Sequence, residues 1–334
     1  MTIRDKKIAV IGPDFFGYPD AIIKSIEKQG GTAIFIDERP ANDFITKVLL
    51  RLRLTFFIRN KINTYYSGVK ETIKKFNPDV ILLISPESIS EDHLREIRML
   101  NSKIVLYMWD SIANKKDAIK LFDYCDDIIS FDLEDSIKYN KVGFLPLFYE
   151  SNYNLPRNES KYDLAFIGTV HSDRYKIISA LDNRELKFYK FMYMPSNALY
   201  YLRRFLSLSM LKSKKSDFNF NKISSNQIAE IFSCSKAILD INHPGQKGLT
   251  SRTFECLGAG CKLITTNNEI VKYDFYHPDN VYILDRNNPK IEMSFFTTAF
   301  NEEFNEKIKS NHIDSWVSNV INGKAKLING NEND

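Results

Sequence analysis

The fold is decided by residues 248–266, which read GLTSRTFECLGAGCKLITT. The stretch begins as a polar loop and continues as about two turns of predicted helix, which end at Gly258 and Gly260. The apolar residues that follow predict a strand. Thr250 and Ser251 are residue types that favour a helix N-cap. Such a helix start presents main-chain N–H groups that have no intrahelical acceptor, and these groups suit a phosphate.

Charged residues accompany this predicted helix start. Lys247 and Arg252 flank it, and two cations together with main-chain N–H groups would neutralise a diphosphate without a metal ion. Glu255 lies one turn inside the helix. A capping box would require Ser or Thr three residues before Glu255, and that position is Arg252. Recognition of sugar or ribose hydroxyl groups is therefore a hypothesis for Glu255.

Strand-like and helix-like segments alternate on both sides of residue 155. This alternation predicts parallel sheets that are covered by helices on both faces. We therefore expect an α/β fold of two Rossmann-like domains, with bounds 1–152 and 153–300. Because ligands bind beyond the carboxyl ends of such strands, we expect the two domains to face a cleft. The predicted strands are residues 7–11, 32–37, 79–84, 103–108, 127–131, 163–167, 186–191, 236–241, 262–265 and 281–284; the predicted helices of the first domain lie near residues 21–28, 62–76, 91–100 and 115–122.

The second domain opens with YDLAFIGTVHSDRYK, residues 162–176. A strand is predicted to end at Gly168 and Thr169, where a glycine permits close approach to the backbone. Arg174 would lie in the first turn of the next helix, where a cation is electrostatically unfavourable, so an anionic ligand explains it better than helix stability does. His171 and, further along, His243 are either structural loop residues or contacts of the same site.

Polar residues also follow strands of the first domain. Asp14 lies in the loop after the first strand, and its GPDFFG sequence, residues 12–17, differs from the GxGxxG fingerprint of a dinucleotide site. Asp110 follows the strand of residues 103–108, where it is either a functional carboxylate or, with Ser111, a helix cap. Ser85 and Glu87 form a third polar group at a strand end.

The two quoted stretches resemble the donor domain of GT-B-fold glycosyltransferases, and the nearest group is the bacterial polysaccharide and spore-maturation-protein-like one. The resemblance implies transfer of a sugar from a nucleotide sugar, with no other cofactor, to a glycan or lipid-linked acceptor in surface polysaccharide synthesis. It also implies that the helices of residues 301–334 pack back on the first domain and end in a flexible tail. The implied catalytic residues are Asp110, Asp14 and His171; the implied donor-binding residues are Gly168, Thr169, Arg174, Lys247, Thr250, Ser251, Arg252 and Glu255.

The sequence leaves alternatives open for the stereochemistry of the reaction and for the class of function. Retaining members of the superfamily carry two glutamates with seven residues between them, and here Lys247 stands in the place of the first while Glu255 matches the second. Retaining and inverting chemistry therefore both stay open. A GT-B epimerase acting on a nucleotide sugar is a second possibility, and a non-catalytic two-lobed ligand-binding protein is a third.

Composition excludes several classes. The chain has 334 residues and a net charge of only +4, which does not indicate a nucleic-acid partner. Its four cysteines form no CxxC pair, so reduced thiols are expected. No Asp-x-Asp metal motif is present, and the sequence D132-L-E134 is its nearest approach; we expect metal independence. The N-terminus lacks a signal-peptide apolar region, and a cytoplasmic location is predicted.

Two stretches combine basic and large apolar residues. Residues 45–61 and residues 199–215 each contain five cations and no acid. Such stretches suit an anionic membrane surface, on the inner face of the cell membrane for a cytoplasmic protein. Amphipathic helices packed on the protein explain them as well.

Overall fold

The computed structural model describes residues 3–15, 17–52, 54–182 and 185–325. The chain divides into two compact units. The first unit comprises Met1–Leu147 together with Ile313–Asp334, and the second comprises Phe148–His312. Each unit is built around one parallel sheet.

The first unit contains a six-stranded parallel sheet in the order β2-β1-β3-β4-β5-β6. The central strands are apolar throughout because helices cover both faces; all five side chains of β3, VILLI, are buried. The strands are β1 (Lys7–Gly12), β2 (Thr32–Asp37), β3 (Val80–Ile84), β4 (Lys103–Met108), β5 (Asp127–Ser130) and β6 (Val142–Phe144). The helices of the first 147 residues are α1 (Tyr18–Lys28), α2 (Phe44–Arg51), α3 (Arg59–Phe76), α4 (Glu91–Arg98) and α5 (Leu133–Lys138), with 3₁₀ segments at Thr55–Ile58 and Lys116–Tyr124.

The second unit contains a five-stranded parallel sheet in the order β11-β10-β9-β7-β8. Its strands are β7 (Tyr162–Thr169), β8 (Phe188–Tyr193), β9 (Ser235–Asp240), β10 (Lys262–Thr265) and β11 (Val281–Ile283). Its helices are α6 (Arg174–Leu181), α7 (Asn197–Leu206), α8 (Ser225–Ser233), α9 (Ser251–Gly258) and α10 (Asn305–Lys309). Short 3₁₀ segments lie at Ser151–Tyr153, Leu208–Met210, Lys215–Asp217, Asn268–Lys272, Met293–Phe296 and Glu302–Phe304.

The last helix, α11 (Ile313–Ile321), belongs to the first unit. Its Trp316 is fully buried and meets the ring of Tyr107 from β4 edge to face, at 4.8 Å between centroids. Asp314 accepts hydrogen bonds from Ser25 Oγ and Lys28 Nζ of α1, at 2.7 and 2.6 Å. The ring contact with Tyr107 and the hydrogen bonds of Asp314 therefore attach α11 to β4 and α1 of this unit.

The structure differs from the sequence expectations in several places, including the helices α2 and α5, which were not predicted. It adds β6, which has only three residues and a central glycine and so carries no periodic signal. The expected helix of residues 115–122 is the 3₁₀ segment Lys116–Tyr124, in which buried Ala118 and Leu121 recur at the three-residue spacing of that helix type. Residues 301–312 lie with the second unit, and the tail expected to be flexible, residues 326–334, lies outside the described ranges.

Candidate functional site

The loops that follow β7, β9, β10 and β11 all leave the same edge of the second sheet because the four strands are parallel. These loops, together with the ends of the strands and the starts of the helices that they join, contain the donor-site residues expected from the sequence. The carboxyl edge of such a sheet is also where ligands of α/β proteins bind.

The start of α9 lies next to the end of β9. Thr250 occupies the N-cap position, but its side chain does not cap the helix. Its hydroxyl instead donates to Asp240 Oδ2 at 2.7 Å, and the hydroxyl of Thr253 reaches the same oxygen at 3.4 Å. Asp240 thus holds the first turn of α9 against β9. Thr250 is thus the N-cap residue that its type predicts, but its hydroxyl is oriented toward the strand-end carboxylate and accepts no hydrogen bond from the first turn of α9.

Arg252 and Glu255 form an ion pair within α9, with Nη1 and Oε2 2.9 Å apart. The guanidinium also lies over the ring of Phe232, 5.1 Å from its centroid. The Glu255 side chain is only 8% exposed. No capping box explains Glu255, but this ion pair between residues i and i+3 of one helix is a local explanation for it. Glu255 and Arg252 therefore stabilise α9 in addition to any role in ligand binding.

Arg174, the first residue of α6, is held by main-chain carbonyl groups. Its Nε donates to Ile241 O at 2.7 Å and its Nη1 donates to Thr169 O at 2.9 Å. A Cβ atom at Gly168 would lie 3.4 Å from Nη1, so this glycine leaves room for the arginine. Burial lowers the pKa of Arg174, against the opposing effect of Asp240. Arg174 thus joins the ends of β7 and β9, and its contact with a diphosphate stays a prediction.

His171 lies in the loop between β7 and α6. Its Nδ1 is 3.1 Å from Ser172 Oγ, and its ring is 6.1 Å from the ring of His243. Burial lowers the pKa of His171 to about 4, and the neighbouring cations Arg174 and Arg203 lower it as well. His171 is therefore a neutral imidazole at neutral pH, which donates one hydrogen bond from its protonated nitrogen and accepts one at the other.

Arg286 was missed by the sequence analysis, although it occupies the centre of this edge. Its Nη1 makes a bidentate contact with Asp173 at 2.8 and 2.9 Å. Its Nη2 donates to the Asn242 main-chain and side-chain oxygens and to Thr266 Oγ1, at 2.7 to 2.9 Å. One guanidinium thereby ties together the loops after β7, β9 and β10. The available signal was its position shortly after the end of the predicted strand of residues 281–284.

The remaining donor-site residues lie at the surface of the same edge. Lys247 is exposed, and its carbonyl oxygen accepts a hydrogen bond from Asn267 Nδ2 at 2.9 Å. Ser251 is the first residue of α9 and is partly exposed. His243 is exposed as well, and its Nδ1 accepts from the Gly245 N–H at 3.3 Å. The second unit therefore brings the predicted donor-binding set to one edge.

Asp110 follows β4 in the first unit, where two contacts fix its loop. The N–H of Trp109 donates to Ser85 Oγ at 2.8 Å, and the N–H of Ile112 donates to Asp135 Oδ2 at 2.9 Å. Burial raises the pKa of Asp110, and Lys115 opposes this shift. The next helical segment begins only at Lys116, so neither Asp110 nor Ser111 caps it. Asp110 is thus a half-buried carboxylate with a raised pKa, a property of general acids and bases.

Other strand-end groups of the first unit have different surroundings. Asp14 is exposed in the loop between β1 and α1. Glu87 forms ion pairs with Lys115 and, at 3.6 Å, with Arg39. Glu38, fully buried after β2, accepts the N–H groups of Glu87 and Ser88 at 3.1 and 2.9 Å. Glu38 therefore positions the loop after β3.

The described ranges were searched for side chains that could hold a metal ion. No group of three or more His, Cys, Asp or Glu side chains there is arranged to hold a metal ion. Asp132, from the nearest approach to an Asp-x-Asp motif, caps α5 by accepting the N–H of Glu134 at 3.1 Å. The four cysteines are free thiols, and three of them are buried.

Comparisons with known proteins identify the fold. No family model matches the sequence, and no curated protein matches it either. Among solved structures, the apo form of the lipopolysaccharide outer core galactosyltransferase WaaB has a TM-score of 0.54 at 14% identity, over 95% of this chain and 99% of that one. Sucrose-phosphate synthase from Thermosynechococcus elongatus has a TM-score of 0.56 at 9% identity, over 95% of both chains. The UDP-GlcNAc 2-epimerase from Neisseria meningitidis bound to UDP-GlcNAc has a TM-score of 0.53 at 11% identity, over 96% of this chain and 99% of that one.

These similarities extend over nearly the whole length of each chain, but the identities are so low that they establish the fold alone. Two parallel sheets with alternating helices are the architecture that these structures share with this chain. The chain therefore has the two-domain α/β fold of the GT-B glycosyltransferases.

Proposed function

We propose that this protein is a glycosyltransferase that moves a sugar from a nucleotide-sugar donor to a glycan or lipid-linked acceptor in bacterial surface polysaccharide synthesis. The observation that carries the proposal is the start of α9 at the carboxyl edge of the second sheet. The Thr250 hydroxyl is turned to Asp240 instead of capping the helix. The helix start, with the N–H of Ser251, therefore presents a positive dipole end to an external anion.

The surroundings of the helix start favour a diphosphate over a neutral ligand. Arg174 and Arg286 are both held rigidly at this edge by carbonyl and carboxylate partners. Prearranged cations and dipoles stabilise the charge that develops on a departing diphosphate without reorganising. This arrangement supports a metal-independent reaction. For the acceptor side, Asp110 is the proposed general base, with Asp14 and His171 as further catalytic residues.

Contact with an anionic membrane surface is the second part of the proposal. Large apolar side chains are exposed in both basic stretches: Ile45 and Phe56 are 67% and 79% exposed, and Phe205 and Leu208 are 84% and 87% exposed. Packed amphipathic helices would bury such side chains. None of the helices in the described ranges is long and apolar enough to cross a bilayer. We therefore propose reversible peripheral binding at the inner face of the cell membrane.

A thermal-shift screen tests the donor-binding part. The protein is heated alone and with UDP, GDP, CMP and ADP sugars, each with its free nucleotide as a control. A donor at 100 times its dissociation constant should stabilise the fold by about 2.7 kcal/mol. No shift with any nucleotide or nucleotide sugar would contradict the proposal.

A nucleotide-sugar epimerase is the second function to be tested, because the fold is shared with the UDP-GlcNAc 2-epimerase. Product analysis separates the possibilities. A transferase releases the nucleoside diphosphate and labels an acceptor, whereas an epimerase changes a stereocentre of the sugar. A non-catalytic two-lobed binding protein would return the ligand unchanged.

A further inference from the structure

A cavity of about 530 Å³ lies in the second unit, at the edge of the sheet opposite to the proposed donor site. Lys236 and Lys262, near the starts of β9 and β10, line it together with the turn of residues 258–260 that follows α9. Asp240 and Thr265 end the same two strands at the donor edge. Because a strand rises about 3.3 Å per residue, the two edges are roughly 10–13 Å apart. The cavity is therefore separate from the donor site.

Lys262 is a buried cation in the wall of this cavity. The residue is only 5% exposed, and its Nζ donates to Phe295 O at 2.7 Å and lies 4.6 Å from the centroid of the Phe295 ring. It forms no ion pair with a carboxylate of the described residues. An ammonium group has three N–H donors, so two of them have no acceptor in this part of the chain. A buried charge without a counter-ion is destabilising unless a ligand supplies one.

Arg157 is a second cation of the wall that no carboxylate of the described residues neutralises. The residue is exposed, but its Nη1 donates to Phe232 O and Cys261 Sγ, both at 2.6 Å, and its Nη2 donates to Ser235 O at 2.5 Å. These contacts hold the guanidinium beside Cys261, which directly precedes Lys262. A guanidinium has five N–H donors, and these bonds use three of them, so two remain for a ligand.

The other charged side chains of the wall are paired or open to solvent. Lys236 forms an ion pair with Asp163 at 2.8 Å, and Lys309 forms one with Glu306 at 2.5 Å. Glu302, the one acid among the described residues that line the cavity, is exposed and forms no ion pair with a described cation. The uncompensated positive charge of the wall therefore comes from the two cations described above.

The number of open donors indicates the kind of anion that fits. Two cations with two open N–H donors each suit the three terminal oxygens of a phosphate ester, or the four of free phosphate, better than the two oxygens of a carboxylate. The volume is that of a site for a small molecule. The hydroxyl groups of Ser160 and Thr298 and the ring of Phe296 also line the wall, where they would contact the rest of such a molecule.

We propose that this cavity binds a phosphate group, free or on a small molecule, through Arg157 and Lys262. We name it the amino-edge site. It is additional to the donor site, and the proposed function does not require it. A ligand there would give the buried ammonium group of Lys262 the counter-ion that the described residues do not supply.

Equilibrium dialysis with radiolabelled inorganic phosphate tests the inference, at constant ionic strength with chloride as the balancing anion. K262M should weaken phosphate binding roughly 10- to 100-fold, because the charge and its open donors are lost. K262Q, which keeps a donor for Phe295 O but no charge, should do the same. Glucose 1-phosphate as a competitor distinguishes the sources: tighter binding than unlabelled phosphate indicates an ester, and weaker binding indicates the free ion.

K272M is the matched control, because it makes the same substitution at an exposed lysine of the same unit, which pairs with Glu269 at 2.5 Å. It should bind phosphate like wild type. Circular dichroism establishes that each variant is folded. The inference is overturned if wild type binds no phosphate, if K262M and K262Q bind it like wild type, or if K272M loses it equally.

Donor binding in the same variants separates this inference from the proposed function. K262M should bind the donor identified by thermal shift as wild type does. If K262M weakens the donor as much as phosphate, the cavity is not a separate site and the inference fails. Phosphate binding that depends on Lys262, in a protein that binds no nucleotide sugar, would support the inference and contradict the proposed function.

Discussion

At the scale of single residues, Arg252 and Glu255 combine two roles that must be separated. The pair is internal to α9, largely buried and 2.9 Å apart. Removing one member leaves the other charge without its partner, and a loss of activity alone would therefore not reveal whether the residue contacts a ligand. A double-mutant cycle on two observables separates stability from binding.

We predict that R252A lowers the free energy of unfolding by about 3 kcal/mol, because it leaves the buried Glu255 carboxylate without its cation. The double variant R252A/E255Q should recover much of that loss, since it removes both charges. Urea unfolding measures this coupling. If Arg252 also contacts the diphosphate, nucleotide affinity in the folded double variant should remain weaker by about 1.5–3 kcal/mol. Wild-type affinity in that double variant would remove Arg252 from the ligand site.

His171 gives a pH-dependent test of the same edge. Its pKa of about 4 lies below the ordinary value because of burial and the surrounding cations. A bound diphosphate would offset those cations and raise this pKa. Protons would then be taken up on binding, so affinity for a nucleotide sugar should increase as pH falls from about 6.5 toward 4. In the free protein the sign is opposite, since the lowered pKa makes folding less favourable as pH falls through the same range.

The measurement is an NMR titration of the imidazole signals with and without a nucleotide sugar. A sugar diphosphate is a diester and does not itself titrate in this range. His312, whose Nε2 is 3.0 Å from Ser151 Oγ, is the control and should not respond. An unchanged His171 pKa in the complex would show that this residue is outside the site.

Among the elements, α2 and α7 each expose several large apolar side chains, Phe44 and Ile45 in α2 and Phe205 and Leu206 in α7. Each is followed by a short 3₁₀ segment that exposes further apolar residues. We predict binding to anionic vesicles that weakens as salt rises, because cations near such a surface contribute about 1 kcal/mol each and are screened. Vesicle flotation at low and high salt measures it.

Point variants locate the membrane contact. F56S with F57S tests the first unit, and F205S with L208S tests the second. Each pair should reduce vesicle binding by roughly 2 kcal/mol, because part of each side chain no longer enters the apolar layer. M99S and V271S remove exposed apolar side chains outside both elements and should have no effect. Absence of wild-type binding to anionic vesicles at low salt would contradict the prediction.

The strands were predictable from the sequence because short runs of apolar, β-branched residues are typical of buried strands in a parallel sheet. The edge of the second sheet that carries the site was predictable for a similar reason, since the carboxyl ends of parallel strands share one edge. The side-chain partners were not. Arg286 donates a hydrogen bond to Asp173, 113 positions earlier in the sequence. The Thr250 hydroxyl donates to Asp240 and does not cap α9. Such pairings depend on tertiary geometry that local patterns do not contain.

Arg203 illustrates the same limit within one helix. The sequence placed it with four other cations in a stretch suited to a membrane surface. In the structure α7 turns Phe205 outward and shields Arg203 Nη1. Which face of a short helix points inward depends on the elements that it packs against, here through the buried Tyr200.

At the scale of the whole molecule, charge compensation by protein groups predicts a reaction without metal. Transfer activity should be complete in excess chelator, because the leaving diphosphate meets side-chain cations and helix dipoles that are already in place. The assay compares initial rates with EDTA, without EDTA and with added magnesium or manganese. Activity that disappears with EDTA and returns with either ion would overturn this prediction.

The proposed function requires that this chain transfer a sugar from a nucleotide donor bound at the carboxyl edge of its second sheet. The most direct measurement follows a radiolabelled sugar of the donor identified by thermal shift, incubated with the protein and bacterial membrane extract. We expect label to appear in a glycan or lipid fraction while an equal amount of nucleoside diphosphate is released, and we expect R252A/E255Q to slow both together. A labelled epimer of the donor, or donor recovered unchanged after prolonged incubation with folded protein, would contradict it.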